Sequence, residues 1–397
     1  MISTRGGEVG LANLVTLSLM VASTGYWVLC LVGALKFLSR RPPERSEAAP
    51  AVTVLKPVRG LDPDLAENCR DFCRQDYPVY QVVFGVAHPQ DPAIPLLQRV
   101  LQEWPGDQHR LVIGPQVYGP NRKVSLLQQM LAVAAHEIVV ISDSDVKVGS
   151  DYLRRIAAPF LDQTVGLVTC LYRGDGAKGL AARLEKWAIE SAFAPSVMAA
   201  YAIEGVTFAF GSTLAIRRTI LEKVGGFIPF VDLLADDYHL AQEARRQGYR
   251  LILSDYPVAC VLGRSRFCEV FDRLVRWGRT NRASRPIGYL LSGISHGTIF
   301  SLVYLVLSRF SPTALVAAAA TIAVRAAAAY VVGAFILKSR CAAAQLALLL
   351  PGDLVTFLAW ALSVAGRRIT WRGTLYRIVE GGRLIELGEA DPSNSSR

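Results

Sequence analysis

Four stretches of the chain lack the mixing of polar and apolar positions that a water-soluble fold needs. Residues 11–35 carry no charge over 25 positions and residues 287–308 none over 22; 312–337 contains only Arg325, and 341–366 only Asp353, inside a Pro351-Gly352-Asp353 break. A helix of about 20 apolar residues crosses a bilayer core, so each run is long enough to span. Soluble cores rarely use four such runs, and insertion in a membrane is expected. The first run is too long for a cleaved signal peptide, and Ser39-Arg40-Arg41 is a poor small-residue cleavage site, so it reads as a retained anchor.

Between the first two runs the pattern changes. Residues 41–50 are polar and proline-rich, a linker. From 51 to about 262, short apolar segments (AVTVLKPV, YQVVFGV, RLVIG, EIVVIS, VGLVTCLY) read as buried strands, and the amphipathic stretches 64–75, 92–104, 123–135 and 151–161 as helices between them. This alternation predicts an α/β layer structure with a mostly parallel sheet, which binds ligands beyond the carboxyl ends of its strands. No GxGxxG or P-loop follows any strand. Residues 178–202 form a long amphipathic stretch that suits either an interfacial or a packed helix.

Composition sharpens this picture. Hydrophobic residues make up 52% and charged residues only 19%, in keeping with membrane insertion. The net charge of +10 gathers beside the apolar runs, at Lys36, Arg40, Arg41 and Arg45, then at Arg273, Arg276, Arg279, Arg282 and Arg285. The positive-inside rule then places residues 39–286 in the cytosol, facing anionic lipid. No nucleic-acid motif accompanies the charge, and no such partner is expected. Seven cysteines form no CxxC and no zinc spacing, which fits free thiols in a reducing compartment.

Several short motifs carry candidate chemistry. Asp143-Ser144-Asp145 directly follows the apolar run EIVVI, so two carboxylates lie past a strand's carboxyl end. Hard divalent cations take such oxygens and keep substrate phosphate in their shell, although an Asp-rich solvated turn looks the same in sequence. Asp91, in HPQDPAI, lies at the same edge and equally suits a helix N-cap. Lys123, in Asn121-Arg122-Lys123, could meet phosphate at a helix start. Asp236-Asp237 suits either a general base or a favourable helix dipole. In Arg273-Leu274-Val275-Arg276-Trp277 two arginines share a helical face, either to neutralise a diphosphate or to anchor at the interface.

Taken in order, LKPVRGLDPDL, CRQDYP, QDPAI, NRKVS, ISDSD, GLVTCLY, FGSTLAIRR, GGF, LADDYHLA, RLVRW and ITWRGTLYR resemble inverting family-2-type glycosyltransferases over residues 52–377. The likeness is to ceramide glucosyltransferases and the bacterial hopanoid-biosynthesis glycosyltransferases close to them. RxxRW opens with Arg here, as in the lipid-modifying branch, whereas processive polysaccharide synthases usually open it with Gln. The resemblance implies a GT-A fold with membrane helices at both ends. It implies a UDP-sugar donor, a lipid hydroxyl acceptor (ceramide, or a hopanoid such as bacteriohopanetetrol), and a divalent metal, Mg²⁺ or Mn²⁺. It matches Lys56 and Asp91 to the surroundings of the uridine. Lys123, Asp143 and Ser144 fall on the nucleotide-sugar side, Asp143 and Asp145 on the metal, Asp237 on the base, and Arg273, Arg276 and Trp277 on the catalytic RxxRW. Ceramide-type relatives can lack the second acid of this DxD; Asp145 is present here, which leans towards the bacterial branch.

The expected domains are an anchor at 1–38, a linker at 39–50, a cytosolic catalytic domain at 51–286, membrane helices at 287–366, and a basic then polar tail at 367–397. Three carboxyl-terminal spans would put the tail outside, yet Arg367, Arg368, Arg372 and Arg377 argue for inside. The run broken at Pro351-Gly352 is therefore the expected re-entrant one. A transporter is the rival from another class, since Arg325 and Asp353 are intramembrane charges. It has no need of strand-end acids. A non-catalytic lipid-binding scaffold is the third reading.

Overall fold

The computed structural model describes residues 2–40 and 49–389, with side chains from residue 10 onward. Most of the expected linker and the polar tail 390–397 lie outside the described residues. The chain forms two compact units, each assembled from separated segments. One takes Met1–Arg40, Gly179–Gly205 and Ser265–Gly366; the other takes Arg41–Lys178, Val206–Arg264 and Arg367–Arg397. The sequence-drawn domains were contiguous, and three pieces differ: 179–205 and 265–286 group with the apolar helices, and the tail groups with the α/β unit.

In the α/β unit the strands are β1 (Val52–Val58), β2 (Tyr80–Val86), β3 (His109–Ile113), β4 (Ile138–Ile141), β5 (Val146–Lys147), β6 (Val165–Asp175), β7 (Leu214–Arg217) and β8 (Arg250–Val261). They make one sheet in the order β3-β2-β1-β4-β7-β6-β8-β5. β1 to β4 run parallel, and β7 and β5 are antiparallel to their neighbours. Alternation sends Val82, Phe84 and Val86 to one apolar layer and Val83 to the other. Helices Leu65–Cys73 and Ile94–Glu103 lie in the first layer, Arg122–Leu131 and Asp236–Arg246 in the second. The five strands and the helices read from the pattern are all present.

The tail is not a tail. β9 (Arg368–Trp371), β10 (Thr374–Ile378) and β11 (Leu384–Glu389) form a second, three-stranded antiparallel sheet within the α/β unit. Its strands are short and separated by turns at Gly373 and at Gly381-Gly382, and the arginines among them dominate the sequence pattern.

Among the described residues of the apolar unit, three helices are long and apolar enough to cross a membrane: Gly10–Leu38, Pro312–Ile336 and Ala342–Val364. The expected break at Pro351-Gly352 is not where the structure bends. Helix Leu349–Val364 runs through it, because Pro351 sits in the first turn, where backbone N–H groups have no intrahelical partner. The bend falls in the second run instead, where Pro286–Ser295 and Gly297–Leu307 meet at 51°. Residues 179–204 pack within their unit: helices Gly179–Trp187 and Ala194–Glu204, joined by a π turn, bury Trp187 and Met198 completely. The intramembrane charges pair with each other, Arg325 Nη2 lying 2.9 Å from Asp353 Oδ1, with the guanidinium 3.9 Å above the Trp27 ring. All seven cysteines are free thiols.

Candidate active site

The Asp143-Ser144-Asp145 turn follows β4, at the end of the parallel run β3-β2-β1-β4, and a buried lysine holds it. Lys56, fully buried on β1, donates from Nζ to the carbonyls of Asp143 (2.7 Å) and Val146 (3.2 Å), with its ammonium 4.1 Å over the Phe72 ring. Burial pushes this ammonium below its ordinary value. Its hydrogen bonds are therefore spent on the turn. Ser144 is buried too, and its hydroxyl donates to Asp62, an acid the sequence reading passed over inside LKPVRGLDPDL. Burial, with Asp143 and Asp62 beside it, pushes the Asp145 carboxyl up to about 6.

A second group of side chains meets around Gly211, in the loop before β7. A Cβ placed there would lie 3.3 Å from Lys123 Nζ and 3.6 Å from both Asp143 Oδ2 and Asp237 Oδ2. Lys123 Nζ is 2.7 Å from Asp143 Oδ1 and 3.9 Å from Asp236 Oδ2. Burial alone would lower this ammonium, but the carboxylates of Asp143, Asp236 and Asp237 outweigh it and hold it above its ordinary value. Helix Arg122–Leu131 brings Lys123 here because Asn121 caps it, Oδ1 accepting from Val124 N at 3.2 Å. Asp237, in the first turn of helix Asp236–Arg246, accepts from Gly211 N at 2.9 Å and Tyr238 N at 2.8 Å. Burial and the adjacent Asp236 push its carboxyl up to about 7, against the pull of Lys123. Gly211 lies within FGSTLAIRR, but nothing in that stretch singles it out. Its role appears only when three distant segments converge.

Asp91 does what a capping residue does. Its carboxylate accepts from Ala93 N at 2.9 Å and ties Gly60 N of the loop after β1 at 3.1 Å to each oxygen. Arg273, Arg276 and Trp277 belong to the apolar unit, on helix Phe267–Ser284. There Arg273 pairs with the buried Glu185, its Nε lying 2.7 Å from Oε1 and its Nη2 donating to Oε2 at 2.8 Å. Glu185 had no motif to announce it.

Among the described residues no group of three or more His, Cys, Asp or Glu is disposed to hold a metal. Asp143 and Asp145 offer two carboxylates, crowded enough for Asp145 to resist ionisation. That donor set fits Mg²⁺ or Mn²⁺, which bind through one or two carboxylates and complete their shells with water and phosphate. It would not satisfy a cation that needs an all-protein cage.

Residues 15–384 match the family described as glycosyl transferase family 21. Ceramide glucosyltransferase 3 of Caenorhabditis elegans is 22% identical over 276 residues, which are 67% of this chain and 60% of that protein. Ceramide glucosyltransferase 1 of the same animal is 23% identical over 244 residues, 61% of this chain and 52% of the relative. The chain thus spans less than two thirds of the length of either. Among solved structures, the mannosyltransferase PcManGT from Pyrobaculum calidifontis, in complex with GDP-Man and Mn²⁺, superposes with a TM-score of 0.53 at 24% identity, over 89% of this chain and 98% of that one. The likeness identifies the α/β unit's fold as GT-A.

Proposed function

The chain belongs to glycosyl transferase family 21, and from that premise we propose that it is a multi-pass membrane enzyme moving one hexose from a UDP-sugar to a lipid hydroxyl, with inversion, on the cytosolic face. The observation that carries the reading is the convergence on Gly211, where a raised carboxyl, a lysine and the first acid of the DxD all stand within 3.6 Å of one Cβ position. Such a grouping suits a base beside a diphosphate site.

In this reading Asp237 accepts the acceptor's proton as the hydroxyl oxygen attacks the anomeric carbon and the bond to the departing diphosphate breaks. Its bond from Gly211 N aims the carboxylate. Asp143 and Asp145 would hold the divalent cation, which when bound neutralises charge on the diphosphate. Lys123 adds a fixed positive charge at the same edge. Lys56 and Asp91 act on the donor indirectly, by fixing the DxD turn and the loop at Gly60.

The ceramide glucosyltransferase relatives support a lipid acceptor and glucose as the first sugar to test. N-acetylglucosamine and a hopanoid acceptor form the second pairing, on the strength of Asp145. The basic residues flanking the apolar runs support the cytosolic orientation. The test is a product assay on the purified full chain, with UDP-glucose and UDP-N-acetylglucosamine each offered to ceramide and to a hopanoid. No sugar transferred to either lipid, in a sample that still releases no UDP, would sink the proposal.

A further inference from the structure

We infer that the carboxyl-terminal sheet, β9 to β11, is a positioning element for the site: it sets the segment that delivers Asp237. The inference rests on the reading of Asp237 as the base. The segment 231–235 has no regular structure of its own, yet it is gripped from two sides. On one side, Leu384 N at the start of β11 donates to Asp232 O at 2.7 Å. Leu234 N donates to Gly382 O at 3.0 Å, and Leu233 forms an antiparallel bridge with Arg383. On the other side stands Asn121. Its N–H donates to Val231 O and its Nδ2 to Leu233 O, both at 2.8 Å, while its Oδ1 caps the helix that carries Lys123. Asp236 and Asp237 follow within three residues of the last of these bonds.

The same sheet also touches the start of the lysine's helix. Tyr376 Oη donates to Pro120 O at 3.4 Å, and Arg122 pairs with Glu386 at 3.2 Å. The segments that carry Lys123 and Asp237 to Gly211 are therefore both referenced to one sheet. The geometry depends on the turn between β10 and β11, where Gly381 and Gly382 adopt φ of 74° and 77°. In that left-handed region a β-branched residue is strained, whereas Asn is tolerated. Positioning matters here because a displacement of about 1 Å costs on the order of 100-fold in rate.

The experiment compares Gly382→Val with Gly382→Asn in the full-length protein, and follows amide exchange in the unaltered chain. Gly382→Val is expected to lower kcat by about 10- to 100-fold while KM for the UDP-sugar stays within about 2-fold. Its exchange should quicken at residues 231–237, and Gly382→Asn should restore both. In the unaltered protein the Leu234 amide should exchange as slowly as the amides of β11. A merely structural sheet would give a lower Tm with kcat per folded molecule unchanged. That result overturns the inference, as does fast exchange at Leu234 in the unaltered chain, which can be read even if Gly382→Val fails to fold. Full transfer by Asp237→Asn would instead remove the base itself, and is a separate failure.

Discussion

At the scale of single residues, Asp237 works under two opposing demands. As a base it must be ionised, yet burial and Asp236 favour its protonated form. Transfer is therefore expected to rise with pH through about 7 and level off above it, and a flat profile from pH 5 to 9 would argue against this carboxylate. Asp237→Asn should lower kcat by about 10²- to 10⁴-fold. Its stability should move the other way. A carboxyl whose folded pKa lies above its unfolded value contributes most at low pH, and that contribution is lost as pH rises towards the folded value. The Asn variant should then exceed the unaltered protein in stability by roughly 1–3 kcal/mol at pH 8, measured in chelator, and the gap should close towards pH 4. Asp145→Ala should remove most turnover and the metal-dependent part of UDP binding while the fold persists. Undiminished transfer in excess chelator would sink the metal assignment. The acids were legible because each stands next to an apolar run or opens an amphipathic one. Gly211 and Asp62 were not, since what they do is created by segments up to about a hundred positions away.

At the scale of elements, the apolar helices are joined by a buried polar knot. Arg325 on Pro312–Val331 pairs with Asp353 on Leu349–Val364, and Asp353 also accepts from Thr298 on Gly297–Leu307. Removing one partner strands a charge; removing both need not. Arg325→Met is expected to cost about 3–5 kcal/mol, and Arg325→Met with Asp353→Leu to recover most of it, read as thermal unfolding in detergent. Equal losses in the single and double variants would show that the pair does not act as a unit. Five of the eight strands of the main sheet could be read from sequence because they are continuous apolar runs. The second sheet could not: in β11 only Leu384 is buried, and a strand exposed along most of its length leaves no periodic trace. The bend at His296 was missed for a related reason. Hydropathy reports how apolar a run is, and the bent run is as apolar as a straight one.

At the scale of the whole molecule, the second sheet constrains the membrane path. Residues 367–389 belong to the same compact unit as residues 49–178, so both must lie on one side of the bilayer. The chain between 265 and 366 then crosses an even number of times. In the multi-pass reading proposed above, Pro312–Ile336 and Ala342–Val364 supply two crossings, and the bent pair Pro286–Ser295 and Gly297–Leu307 is then a segment that enters and returns. Two exposed cysteines can report the answer. Cys268 precedes the bent pair, and Cys341 lies between the two straight spans. In sealed vesicles an impermeant thiol reagent should reach them from opposite sides. Labelling of both from one side would mean that the bent pair crosses.

The grip of residues 382–384 on residues 232–234 also has a meaning in time. A ribosome makes Asp237 well before it makes Gly382, and between the two it makes every helix from 286 to 364. If the grip sets the base, the nascent chain carries an unfinished site throughout that interval. A molecule whose last helix fails to insert, or whose synthesis stops at residue 366, would be left without transfer activity rather than with a misdirected one.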